Sequence, residues 1–283
     1  MTDRQLSLIL FLAAAIWGLY WVPLRALEGY GLHEAWAVAF FSLPPALVLA
    51  VIVIWRGETQ HLARAAMIGG FIGLGMGLYA FGLVATSVVR TTILFYLTPI
   101  WSTLIGVFWL SETLTKGRIA AIILGLVGLL LMVSGPSGAG MPLNFGDFCA
   151  FLSGIFWALG AASMKRFPEV PTASVTGFQF GMSALIGLIL ALVFAPDAAP
   201  TLESLVKAIP ITTIASVLIL VPNVFLIIWI SKRLFPGRVG VLMMSEVMIA
   251  IISATLFLPE ETMTVLQWTG GAAIIAACFC EVL

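Results

Sequence analysis

One carboxylate of this chain stands where a carboxylate is costly. Glu246 is the eighth residue of the apolar run 239–258, about 11 Å from the end of that run at about 1.5 Å of helix rise per residue. A charge so deep in hydrocarbon costs roughly 2.5–3.5 kcal/mol on insertion scales, so the group must face a protein interior, pair with a cation or carry a proton. Its chemistry would be contact with a substrate ammonium group or the carrying of a coupled proton. The competing structural use is a fixed ion pair, or capping of an irregular turn after Gly240. Aromatic residues stand at similar depth in other runs: Trp17, Tyr79, Tyr96, Trp101 and Trp157. Their rings offer flat apolar contact, their hydroxyl and N–H groups offer polar handles, and their faces can hold a cation. Tyr96 shares a helical face with Thr92, Pro99 and Thr103, a surface too polar for lipid. Singly each aromatic is packing material; as a set they suit the lining of a cavity for a planar or aromatic solute.

Three backbone positions could loosen the helices that carry these groups. Pro222-Asn223 lies in the middle of the run 208–231, Pro99 lies within 91–110, and Gly73 lies in a run holding six glycines. A proline inside a helix frees a carbonyl, which in lipid is tolerated where protein or a water-filled cavity satisfies it. The glycine stripe Gly69, Gly73 and Gly77 has close helix packing as its simpler explanation.

The elements that must position these residues are spanning helices. The 283 residues are 61% hydrophobic and 9% charged, with no net charge. Soluble domains carry about 25% charged residues, so an ordinary globular enzyme is excluded, and a neutral chain has no footprint for nucleic acid. A spanning helix takes about 20 apolar residues. Ten runs qualify: 6–24, 35–55, 65–85, 91–110, 119–135, 148–164, 173–195, 208–231, 239–258 and 266–283. They contain two charges, Glu246 and Glu281, the second at the last turn of the chain. The runs are continuous rather than alternating, which excludes a β-barrel. With the N-terminus in the cytoplasm, ten of the 13 Lys and Arg residues fall on the inside and three outside, so both termini are expected to be cytoplasmic.

The two halves of the chain echo each other. At an offset of 140, Trp17-Gly18 lies over Trp157-Ala158; at an offset of 149, Ser111-Glu112-Thr113 lies over Glu260-Glu261-Thr262, and Gly73 lies over Pro222. Each half holds five runs, an odd number, so the second half enters the membrane from the opposite side. The expectation is an all-α integral membrane protein with ten transmembrane helices in two inverted-topology repeats, 1–140 and 141–283. Such repeats characterise many transporters, whose sites lie near the midplane at loosened helices.

On these residues the sequence resembles the ten-span drug/metabolite transporter superfamily, EamA type. The resemblance rests on the two five-span halves, Trp17-Gly18, the Leu97-Thr98-Pro99-Ile100 segment and the following Glu112. It covers essentially the whole chain. Met248 stands in the second half where the first has its proline, and Glu260 stands where the first half has Ser111. The pattern looks most like YddG-type exporters of aromatic amino acids. The resemblance implies export of amino acids and related metabolites from a bacterial inner membrane, by alternating access.

Other function classes meet obstacles in the residues. A membrane-embedded enzyme would want clustered carboxylates, His or Lys at one membrane surface, and a channel a continuous polar lining. A nucleotide-sugar carrier would want Lys or Arg for phosphates within the spans. A multidrug or other metabolite transporter of the same superfamily stays open. The expected substrate contacts are Trp17, Tyr79, Tyr96, Trp101, Trp157, Asn223 and Glu246, and the expected helix breaks or gates are Gly73, Pro99 and Pro222. No cofactor or metal is expected; Cys149, Cys278 and Cys280 read as packing residues. The partners expected are a small-molecule substrate and the lipid bilayer.

Overall fold

A computed structural model of the chain describes residues 1–86, 91, 94–132, 143–257 and 264–282. Thr92 and the second-half motif at 260–263 lie outside them. Within the described residues the chain is helical, without strands. The helices are α1 (Asp3–Trp17), α2 (Trp21–Glu28), α3 (Glu34–Trp55), α4 (Leu62–Ala85), α5 (Thr98–Leu110), α6 (Lys116–Met132), α7 (Phe145–Arg166), α8 (Thr172–Phe194), α9 (Leu202–Thr212), α10 (Val221–Ser231), α11 (Pro236–Met243), α12 (Ser245–Phe257) and α13 (Val265–Val282). A π-helical stretch, Thr213–Leu220, joins α9 to α10.

Six helical stretches are long and apolar enough to cross a membrane: Asp3–Glu28, Ala35–Trp55, Leu62–Leu83, Phe145–Arg166, Thr172–Phe194 and Leu202–Ser231. Shorter apolar helices lie at Thr98–Leu110 and Val265–Ala277. The protein is therefore a multi-pass membrane protein. Local sequence explains the helix starts. Thr2 and Gln5 cap α1 reciprocally, and Asn144 and Asp147 do the same for α7, satisfying N–H groups that a helix leaves orphaned.

Three runs that read as single spans are interrupted. The first breaks at Gly18–Tyr20 between α1 and α2. The fourth breaks at Tyr96-Leu97, because Pro99 cannot donate to the carbonyl of Phe95; the Thr98 hydroxyl donates to that carbonyl instead. The ninth breaks at Met244, whose N–H turns back to Val241 at 3.1 Å. The helices that follow the fourth and ninth breaks, α5 and α12, have 13 residues each.

Pro222 acts differently from the expected break. The chain stays helical through it, and the lost hydrogen bond is absorbed by widening the preceding turns to π geometry. Gly73 breaks nothing. It lies inside the continuous α4, where a Cβ would stand 2.7 Å from Met182 Cβ of α8, so the glycine serves close packing.

The packing follows a definite pattern. α3 lies along α8, α6 along α13, and α4 against both α7 and α8. α10 packs on α1, the π stretch on α3, α5 on α7, and α11 and α12 on α1. α5 and α11 cross at Pro99, where a Cβ on Gly240 would come within 3.1 Å of Pro99 Cα.

Candidate functional site

The breaks converge on Glu246. It occupies the first turn of α12, and its side chain is buried, with the residue 3% exposed. The positive end of a helix dipole favours a carboxylate there. Two phenols approach it. The Tyr96 hydroxyl, from the fourth-span break, donates to Oε2 at 2.5 Å, and the Tyr79 hydroxyl of α4 donates to Oε1 at 3.4 Å. Tyr96 also lies 3.3 Å from the Met243 carbonyl, at the end of α11. Among the described residues no ion pair involves Glu246. The carboxylate is thus held by neutral donors, with its charge uncompensated by a neighbouring cation.

Aromatic rings enclose this group. Phe95 is the hub: its centroid lies 4.5 Å from Tyr79, 5.1 Å from Tyr96 and 6.5 Å from Trp157. On the α1 side Trp17 stacks on Tyr20 at 5.2 Å, and Tyr20 meets Phe41 edge-on at 5.6 Å. Of the sequence candidates, Tyr79, Tyr96, Trp157 and Glu246 are therefore brought together. Trp101 points elsewhere, meeting Phe151 of α7 edge-on at 5.8 Å, with its indole N–H buried and without a partner among the described residues.

Asn223 is occupied structurally: its amide donates to the Ala13 carbonyl at 3.1 Å, tying α10 to α1. The broken first span is likewise strapped to α12. Ser245 donates to the Phe11 carbonyl at 2.8 Å, and Trp21 Nε1 donates to Ser253 at 3.1 Å. Between these bonds Gly18 meets the site's own backbone, and a Cβ there would stand 2.5 Å from the Glu246 carbonyl oxygen. Phe95, Tyr20, Ser245 and Ser253 were not singled out by sequence reasoning. Phe95 and Tyr20 were within reach, each one helical step or less from a chosen aromatic; the two serines carried no signal.

A second cluster closes the membrane face where α7 meets α8 and α10 meets α11. Lys232 is buried and donates to the Val170 carbonyl. Burial, reinforced by neighbouring Arg233, brings its amine down to about 8. Lys165 donates to the Arg233 carbonyl at 2.7 Å, and Arg64 pairs with Glu169 at 2.7 Å. A backbone hydrogen bond and Arg64 hold the Glu169 carboxyl below the usual carboxylate range. Glu112, after α5, is buried against Gly106 and bridged to Arg118 at 3.0 Å, a structural pair at the helix end. Among the described residues no His, Cys, Asp and Glu cluster could hold a metal.

The comparisons with known proteins agree with a transport role. The pattern of the EamA-like transporter family matches twice, over residues 6–134 and 144–282. The chain is 23% identical to the uncharacterized transporter YoaV of Bacillus subtilis (strain 168), over 69% of this chain and 68% of that one. It is 24% identical to the uncharacterized transporter YyaM of the same organism, over 58% and 57%. A solved crystal structure shares the fold with a TM-score of 0.73 at 19% identity, covering 99% of this chain and 96% of the other.

Proposed function

The chain belongs to the EamA-like transporter family, and from that premise we propose that it exports amino acids, aromatic ones foremost, by alternating access through the site around Glu246. One observation carries the proposal: a buried carboxylate bonded to two phenols, beside Phe95 and Trp157, with no cation paired to it among the described residues. An α-ammonium group supplies the missing positive charge, and an aromatic side chain finds ring faces within the same shell. The first turn of α5 carries no acidic residue, so its dipole suits the substrate carboxylate.

The chain is read as ten spans in two inverted repeats, 1–140 and 141–283, in a bacterial plasma membrane with both termini in the cytoplasm. The twofold family match supports that division. So does the packing, which maps onto itself when the halves are exchanged: α4 on α7 corresponds to α10 on α1, and α5 on α7 to α11 and α12 on α1. The ten-to-three distribution of Lys and Arg supports the orientation.

The test is counterflow in proteoliposomes with labelled phenylalanine, tryptophan, alanine and a quaternary ammonium. Internal unlabelled aromatic amino acid should accelerate uptake of the labelled one, and Glu246→Gln should abolish it. Wild-type counterflow by Glu246→Gln would overturn the assignment of the site. Counterflow of the quaternary ammonium alone would favour a multidrug carrier over an amino acid exporter.

A further inference from the structure

A hollow of about 460 Å³ lies away from Glu246, between α3, α8 and the start of α9. One wall is Trp36, Phe40 and Leu43 of α3; the other is Gly181, Ala184 and Leu188 of α8; Leu205 closes one end. Every lining residue is apolar. The one side-chain polar group there, the Trp36 indole N–H, donates to the Ala195 carbonyl at 2.9 Å and presents only its ring. A polar solute would find no partner in this space. The hollow is genuine space rather than a shallow dent: a Cβ on Gly181 would meet no atom within 4 Å.

Its position fixes what fills it. From Trp36 to Leu43 the wall runs about 10 Å along α3, at about 1.5 Å per residue, starting one turn inside the helix end. Leu43, Leu185 and Leu188 beside it are 46%, 49% and 40% exposed, so its mouth opens towards lipid tails. An α-helix with side chains is about 10–12 Å across and cannot enter so small a space, which argues against a second copy of the chain. A single hydrocarbon chain is thin enough. We propose that this groove is a binding site for one acyl chain of a phospholipid, in the leaflet on the side of loops 29–33 and 195–201. The site is independent of what the protein exports. It touches α3 from one half of the chain and α8 and α9 from the other, and a chain lodged there bears on how the two halves sit together.

The full-length protein tests this by native mass spectrometry from detergent, after equilibration with phosphatidylglycerol bearing 16- and 18-carbon chains. The wild type should retain one phospholipid per chain, and Gly181→Leu and Ala184→Phe should each lower retention about tenfold. Vesicles of phosphatidylglycerol brominated along its chains supply a second readout. They should quench the fluorescence of the wild type more than that of Trp36→Phe, and filling the groove with Gly181→Leu should remove the difference. Equal retention in the wild type and a folded filling variant would show an ordinary lipid-facing surface and overturn the proposal. A change of oligomeric state on filling, without loss of lipid, would assign the groove to a second copy and overturn it equally.

Discussion

At the scale of single residues, the site depends on hydrogen bonds to one carboxylate. Removing the Tyr96 hydroxyl leaves Glu246 Oε2 without its near donor at 2.5 Å. A hydrogen bond to a charged group contributes about 1.5–3 kcal/mol, so Tyr96→Phe should lower thermal stability visibly and cut counterflow, whereas Tyr79→Phe, at 3.4 Å, should do less. Thermal melts and flux of both variants check the ranking. Lys232 gives a pH prediction. Its amine titrates at about 8 in the folded protein against 10.5 when free, so between those values the unfolded chain binds more protons and stability rises with pH. Below about 8 both states are protonated and the dependence vanishes. The gain in Tm between pH 8 and 10 should be smaller in Lys232→Met than in the wild type. The sequence marked Glu246 because its cost is intrinsic to its type and depth. It could not separate Asn223, committed to Ala13, from a ligand contact, because a buried amide serves either purpose until its partner is known.

At the scale of elements, helix breaks were only partly legible. Pro99 announced the break in the fourth span, since a missing N–H is written in the residue itself. Pro222 announced an irregularity of the wrong kind: the helix widened instead of parting. The break at Met244 has neither Gly nor Pro at its centre, and arises where Ser245 and Gly18 lock α12 against α1. Pro222→Ala should restore the i→i−4 ladder and draw the turns 213–220 back to α geometry, seen as a shift of register in a structure of the variant. Gly18→Ala places a methyl group against the Glu246 carbonyl and should cost about 1–3 kcal/mol by overpacking, measured by thermal melt.

At the scale of the whole molecule, the membrane class is legible in composition and charge placement, because the bilayer imposes length and apolarity on every span. Which helices touch was not legible, apart from what the repeat suggested, because apolar residues face both lipid and neighbours. The cluster of Lys165, Arg233, Lys232 and Val170, with the Arg64–Glu169 pair, joins elements of both halves at one face. Alternating access requires that cluster to part. In a cysteine-free background, Arg64→Cys with Glu169→Cys, joined by a short bifunctional thiol reagent, should stop counterflow, and a cleavable reagent should restore it on reduction. Undiminished counterflow in the cross-linked protein would mean that this face stays closed throughout the cycle.

The phenol of Tyr96 has one proton and two claimants, the Glu246 carboxylate at 2.5 Å and the Met243 carbonyl at 3.3 Å. In the empty protein the carboxylate holds the stronger claim. An ammonium group arriving at Glu246 weakens it, and the proton is then free to turn to Met243, the last carbonyl of α11. Filling the site would thus tidy a frayed helix end. The protein could register that it is loaded through the torsion of a single hydroxyl, before either half has moved.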